Sequence, residues 1–349
     1  MRRFNDNLIR VGLDGLYYSG AYRLLAPSTA GRGVIFALHR VLPAPAKDSF
    51  APNHALQITP EFLDIVLNEL RRRDVDVVDL DEAISRLNAD DCRRFAVFTF
   101  DGYADSLRAT LPIFERYRAP FTVYVTTGLI DGTADVWWLM LEAAISQRDT
   151  LCATVNGQVY DLPARTAEEK QTAWNAVYWP LRDLPASDRR AAIIALAGSA
   201  IDGAELCRSV AATWDDLRTA SLHELVTIGA HTLRHPVLSV LSADDAQFEI
   251  REGRRRLERE LGREVRHFAY PFGDRGSAGQ REFALAREAG FASAVTTRRG
   301  PLHAEHGSHL HALPRVSLNG NYQAKRYFEL FLSGAPFLLW NGARRLDVA

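Results

Sequence analysis

The chain is poor in cysteine, in long apolar runs and in net charge, and each shortage removes a class of protein. Its three cysteines, Cys92, Cys152 and Cys207, are odd in number and far apart. That excludes a disulfide framework and fits a reducing compartment. No stretch of eighteen consecutive apolar residues occurs, so no transmembrane helix is expected. Lysine plus arginine number 42 against 43 acidic residues, a net charge of −1. No global basic field points to a nucleic-acid partner. Met1-Arg2-Arg3 opens the chain, but Asp6, Arg10 and Asp14 interrupt any apolar core behind it. The segment does not read as a secretory signal. A cytoplasmic location is the expectation, with peripheral membrane association left open. Internal repeats and low-complexity segments are lacking too.

What is present is a rhythm of buried strands and amphipathic helices. With 349 residues, 47% of them hydrophobic, the chain can bury a large core. Gly33-Val34-Ile35-Phe36-Ala37-Leu38, Phe95-Ala96-Val97-Phe98-Thr99-Phe100 and Phe121-Thr122-Val123-Tyr124-Val125 are continuous apolar runs. Such runs mark strands covered on both faces. Further strands are predicted at 75–78, 225–228, 267–270, 291–296 and 313–316. Thr59-Pro60-Glu61 opens an intervening helix, with Thr59 as N-cap and Pro60 at the first helical position. Strand and helix alternating with short joints imply a parallel sheet with right-handed crossovers.

Residues 135–215 break that rhythm. Trp137-Trp138-Leu139-Met140-Leu141 starts a helical stretch, Cys152 to Leu162 reads as a hairpin turning at Asn156-Gly157, and more helices follow. This is an expected inserted, mainly helical subdomain. Residues 1–32 form an amphipathic helical segment, expected to dock on the protein rather than on a membrane surface. Residues 321–349 form an apolar helical tail. The arginine- and glutamate-rich stretch from Gln247 to Leu261 reads as a solvated helix face.

Residues of different chemistry share one position, the ends of strands. His39, Asp101, His231, His235, Tyr270-Pro271 and Arg315 each follow a predicted strand at its C-terminal end. In a (β/α) barrel those ends surround one mouth, where active sites sit. His231 and His235 are four residues apart, so a helix or tight turn leaving the strand would aim both imidazoles one way. By itself that spacing also fits two unrelated surface or capping histidines. A carboxylate plus two histidines makes a facial set of metal ligands that leaves positions open for water and substrate. A second carboxylate could then act as base and an imidazolium could protonate a leaving amine.

These residues carry a resemblance. Phe98-Thr99-Phe100-Asp101-Gly102-Tyr103, His231-Thr232-Leu233-Arg234-His235-Pro236 and Phe268-Ala269-Tyr270-Pro271-Phe272-Gly273 resemble successive motifs of NodB-type polysaccharide deacetylases, carbohydrate esterase family 4. Leu38-His39-Arg40-Val41 and Ile58-Thr59-Pro60-Glu61-Phe62 are similar to the leader of a bacterial branch of that family. The resemblance spans roughly residues 33–320 apart from the insert. It implies a distorted (β/α) barrel and metal-dependent removal of N- or O-acetyl groups from a sugar in an oligosaccharide, a polysaccharide or a lipid-linked glycan. It implies His231 and His235 as metal ligands, with Asp101 beside them, and a divalent ion: Zn²⁺ first, Co²⁺ or another divalent ion as alternatives. Tyr270, Pro271 and Arg315 would line the substrate side. The leaving-group histidine would be His39, or one of His303, His306, His309 and His311 in a late loop.

One departure matters. The family pattern is Thr-Phe-Asp-Asp-Gly-Tyr, and here Asp101 runs directly into Gly102. Registered on the strand, Asp101 is the base; registered on the turn, it is the ligand. Asp105 stands where the family has a further aspartate. The alternative to an enzyme is a relative that binds glycan without turnover.

Overall fold

A computed structural model describes residues 6–89, 93–104, 107–342 and 344–348. Cys92 and Asp105 lie outside the described residues.

Among the described residues, twelve strands occur in chain order. They are β1 (Gly33–Leu38), β2 (Arg40–Val41), β3 (Gln57–Ile58), β4 (Asp76–Val77), β5 (Phe95–Asp101), β6 (Phe121–Val125), β7 (Thr150–Val155), β8 (Gln158–Pro163), β9 (Val226–Ala230), β10 (His267–Ala269), β11 (Ser293–Arg299) and β12 (Leu313–Ser317). The main sheet runs β1-β12-β11-β10-β9-β6-β5-β4, and β1 also pairs with β5. Seven strands therefore close into a parallel barrel, and β4 is attached to the start of β5 outside the ring. All these pairings are parallel, as the continuous apolar runs require when helices cover the outside.

Alternation along each strand sorts side chains into two layers. Val34, Phe36, Ala96, Phe98, Phe100, Val123 and Phe268 pack outward, under the helices. Ile35, Phe95, Val97, Tyr124, Ala269, Val295 and Leu313 fill the barrel interior. Gly229 shows how tight that interior is: a Cβ there would lie 2.4 Å from the Tyr124 ring. On the outside, Thr59 accepts a hydrogen bond from the Phe62 amide at 3.2 Å and starts the helix Pro60–Arg72.

Between β6 and β9 the chain leaves the barrel. Helices Trp137–Ser146, Ala167–Arg182, Ala186–Ala197 and Gly203–Val210 surround the β7–β8 hairpin, which turns at Asn156-Gly157 with both residues at positive φ. This insert has its own core, including Trp137, Leu141, Leu151, Trp174, Val177 and Cys207. Tyr103 and Leu129 from the barrel rim belong to the same core, so the insert is seated on the mouth. The terminal helices Asp6–Tyr18 and Ala21–Thr29 pack against Lys325–Ser333 and Ala335–Trp340. Among the described residues, no helix is long and apolar enough to cross a membrane.

Candidate active site

Parity decides which strand-end residues meet. Asp101 follows Phe95, Val97 and Thr99 on the inner face of β5; Arg315 follows Leu313 on β12; His39 follows Ile35 and Ala37 on β1; His231 follows Gly229 on β9. All four point into the barrel mouth.

The first result of that convergence is a buried ion pair. Arg315 Nη1 donates to Asp101 Oδ1 at 2.7 Å and Nη2 to Oδ2 at 2.5 Å. Arg315 Nε also donates to the Thr296 carbonyl at 2.8 Å, and Nη1 to Thr99 Oγ1 at 3.0 Å. Burial pushes the Asp101 carboxyl up, but the Arg315 guanidinium outweighs it and holds the group down at about 2. Arg315 is 1% exposed, so it offers a substrate no surface. It acts on Asp101 and not as the substrate-lining residue the resemblance implied.

The histidine pair sits on a turn, not on a helix. Thr232 and His235 both take left-handed φ values, 64° and 65°. The His235 amide donates to Thr232 Oγ1 at 3.0 Å, closing the turn. Glu249 pins it from below: its carboxylate accepts from the Arg234 amide at 2.9 Å and from Arg234 Nε at 2.7 Å. Gly253, one turn further along that helix, is required by the close approach, because a Cβ there would lie 2.6 Å from the Thr232 carbonyl carbon. The two imidazole rings end up 4.9 Å apart.

His231 Nδ1 donates to the Ala269 carbonyl at 2.7 Å, which leaves its Nε2 with a free lone pair. Among the described residues, His235 Nδ1 is buried without a hydrogen-bond partner. Burial lowers both imidazoles from the ordinary histidine range. Two neutral, oriented imidazoles, one with an orphaned buried nitrogen, are the donor chemistry of a divalent-metal site. Asp101, beside them, is held through both its oxygens by Arg315. Among the described residues, no group of three His, Cys, Asp or Glu side chains is close enough to share an ion.

His39 stands near the same charges. Burial lowers its pKa to about 4; the Asp101 carboxylate raises it, while Arg315 and His231 lower it further. Its ring centroid is 6.3 Å from that of Tyr103. The late-loop histidines lie elsewhere. That loop is tied to the opposite end of the barrel, where the Leu302 amide donates to the Gly33 carbonyl at the start of β1. There His306 packs against His303, and His311 Nε2 bonds the Phe291 carbonyl at 2.8 Å.

Tyr270 also departs from expectation. It follows Ala269 by one position and so faces outward, fully buried against Phe268 and Phe283, with its hydroxyl donating to the His311 carbonyl at 2.9 Å. Pro271 is buried as well. Tyr270 therefore does not line the mouth. Phe272 does, held at a positive φ of 60°, with its ring 5.0 Å from His235.

The wall facing Phe272 comes from the insert. The Trp138 ring lies 5.2 Å from His235, and its Nε1 donates to the Tyr103 hydroxyl at 2.7 Å. Arg40 stacks on the other side of this wall, 5.4 Å from the Tyr103 ring centroid. Glu142 accepts from Asn53 Nδ2 at 2.6 Å nearby, and burial pushes its carboxyl up. Trp138 and Glu249 had no site role in the sequence reading, and Tyr103 and Phe272 entered it only as members of the quoted motifs. The adjacent Trp137-Trp138 pair was the one visible signal of an aromatic wall.

The closed parallel barrel with its surrounding helices matches the (β/α) barrel fold of solved deacetylases. A sequence model described as polysaccharide deacetylase matches residues 187–293, which include both histidines of the turn. Similar solved structures include the Streptococcus pyogenes deacetylase PplD in complex with acetate, at 17% identity, covering 82% of this chain and 92% of that one with a TM-score of 0.53. IcaB from Ammonifex degensii matches at 17% identity over 87% of this chain and 97% of its own, TM-score 0.54. A de-N-acetylase from Aggregatibacter actinomycetemcomitans matches at 14% identity, covering 85% and 99%, TM-score 0.54. At these identities the likeness is one of fold. No curated protein matches the chain.

Proposed function

We propose that the chain hydrolyses acetyl groups on an amino sugar within an oligosaccharide or polysaccharide. The observation that carries this reading is the convergence of His39, Asp101, His231 and His235 on one interior rim, walled by Trp138 and Phe272. Aromatic faces suit the apolar faces of a sugar ring, and buried ionisable groups suit proton transfer.

His231 and His235 would hold a divalent metal ion. Bound there, the ion would polarise the acetyl carbonyl and acidify a water. The remaining chemistry belongs to the chain. Water adds to the acetyl carbon, its proton must leave, and a proton must reach the departing nitrogen or oxygen. Asp101 is ionised at all working pH values and fixed by Arg315, so it supplies a constant negative charge beside the reacting centre. His39 is neutral at rest, so it accepts a proton before it donates one. The adjacent Asp101 charge then favours the imidazolium that forms.

A second reading has its own support. The Arg315 clamp occupies both Asp101 oxygens, and the described donor set stops at two imidazoles. On that reading the barrel binds glycan without turnover. The deciding experiment is acetate release from acetylated chito-oligosaccharides by the purified chain, with Zn²⁺ or Co²⁺ and after chelation. The hydrolase reading expects release that is lost on chelation and in His39→Ala. Metal analysis should show an ion retained by the native chain and absent from a His231→Ala, His235→Ala double variant. Glycan binding with neither metal nor acetate release would overturn it in favour of the second reading.

A further inference from the structure

The first helix, Asp6–Tyr18, is built the wrong way round for a solvated helix. Its inner side packs Ile9, Leu13, Leu16 and Tyr17 on the protein. Its solvent side carries Leu8, 64% exposed, Val11, 68%, and Tyr18, 76%, at i, i+3 and i+10. Gly12 and Gly15 fall on the same side and have open space above them. The charges lie off this face: Arg10, itself exposed, donates to the Asn321 carbonyl, and half-buried Asp14 accepts from Arg326. Leu24 on the next helix, 85% exposed, and Leu339 on the last, 79% exposed, are further exposed apolar side chains of the terminal helices.

Beside this stripe opens a cavity of about 990 Å³, one wall of which is Tyr17 and Tyr22. It lies at the N-terminal end of the strands, since Val75 and Arg94 immediately precede β4 and β5. Arg23, Arg73, Arg93, Arg94 and Lys325 line it, against the carboxylates of Asp74 and Glu329. Arg73, Arg93 and Lys325 are paired with carboxylates. Among the described residues the other two have no carboxylate partner: Arg23 donates to the Tyr22 hydroxyl, and Arg94 to the Ala30 and Leu332 carbonyls. Among those residues, too, Arg94 Nε is buried without a partner.

We propose that this end of the molecule is a membrane-surface site: the uncharged helix face lies in the interface of a bilayer and the cationic cavity takes the phosphate of an anionic phospholipid headgroup. An apolar helix face of this length inserts only to headgroup depth. Cations at that depth gain from an anionic leaflet, and guanidinium matches phosphate geometry. A second copy of the chain would cover the apolar stripe but would leave unanswered Arg23 and Arg94, which have no carboxylate partner among the described residues. The mouth holding His231 and His235 is at the other end of the barrel. The strands between are about 20 Å long at roughly 3.3 Å per residue, so the mouth opens away from the bilayer, towards glycan in the aqueous phase. The membrane assignment stands on different residues from the hydrolytic reading and survives its failure.

Vesicle flotation of the full chain tests it, using vesicles of equal parts phosphatidylglycerol and phosphatidylcholine against phosphatidylcholine alone. Binding should be at least about tenfold stronger to the anionic vesicles and should weaken with salt, while inorganic phosphate at equal ionic strength competes weakly. Leu8→Glu with Val11→Glu should lose at least about tenfold in binding, as should Arg23→Glu with Arg94→Gln. Leu8 and Val11 make no core contact, so that pair should keep the native circular dichroism and thermal midpoint. No flotation of the native chain, equal flotation on both lipids, or an unaffected Leu8→Glu, Val11→Glu variant would overturn the proposal. So would a solution dimer that dissociates in that variant, which would give the stripe to a second copy.

Discussion

Arg315 holds Asp101 by both carboxylate oxygens from the neighbouring face of the barrel interior, at 2.5 and 2.7 Å, with the guanidinium sealed from solvent. This pairing fixes the charge and the direction of the Asp101 carboxylate at the mouth. Removing the arginine leaves an uncompensated buried carboxylate, and breaking such a pair costs about 3–5 kcal/mol. Arg315→Met should lower the denaturation midpoint by that order. Arg315→Met with Asp101→Asn, which removes both charges, should recover much of the stability and none of the activity. Equal destabilisation by the single and double variants in urea titrations would show that the arginine matters for packing alone.

The turn that presents the imidazoles depends on contacts outside the mouth. Glu249→Gln keeps one acceptor for the Arg234 amide and removes the charge; Glu249→Ala removes both anchors. A graded loss of metal retention and acetate release is expected, about tenfold or more for the alanine variant, with the fold retained by circular dichroism. Gly253→Ala drives a methyl group into Thr232 and should act in the same direction. Wild-type metal retention in Gly253→Ala would mean that the turn can shift freely.

Trp138 ties the insert to the mouth. Trp138→Phe loses the 2.7 Å bond to Tyr103 but keeps a ring over His235; Trp138→Ala loses both. The phenylalanine variant should raise KM for glycan only modestly. The alanine variant should raise it severalfold and also destabilise the insert by about 3–5 kcal/mol. Unchanged KM in both variants, measured on the same oligosaccharide series, would remove the insert from substrate contact.

Acid should act on this protein before its carboxylates titrate. His39 and His306 are both held neutral by burial down to about 4, whereas an unfolded chain would protonate them near 6.5. Between those values the unfolded state binds more protons, so stability falls as pH drops from about 6.5 towards about 4 and then levels off for these groups. Asp101 contributes in a lower window: its pairing stabilises above about 4 and is lost as pH falls towards about 2. The thermal midpoint measured from pH 7 to 4 should therefore decline by an amount on the order of a few kcal/mol in free energy. A flat profile would mean that the mouth admits water and lets His39 charge in place.

The sequence by itself determined the barrel and the ring of strand ends. Apolar runs at 33–38, 95–100 and 121–125 have nowhere to go but a sheet covered on both faces, and alternating helices force that sheet to be parallel. The placing of His39, Asp101, His231 and Arg315 at one mouth follows from that alone. Tertiary structure decided what each of them does there. Tyr270 and Arg315 were equal candidates for the substrate side, yet Tyr270 is one residue past an inward position and Arg315 two, so one joined the outer core and the other the interior ion pair. That parity was latent in the sequence, but it becomes readable only once the inner layer of Ile35, Val97, Ala269 and Leu313 is known. The late-loop histidines, Trp138 and Glu249 were beyond sequence reading, because their distances from the mouth are set by how loops and the insert fold back, and no local period encodes that. The arginine-lined cavity has the same origin: its cations come from segments hundreds of residues apart, and only the packing of both chain ends beneath the barrel brings their charges together.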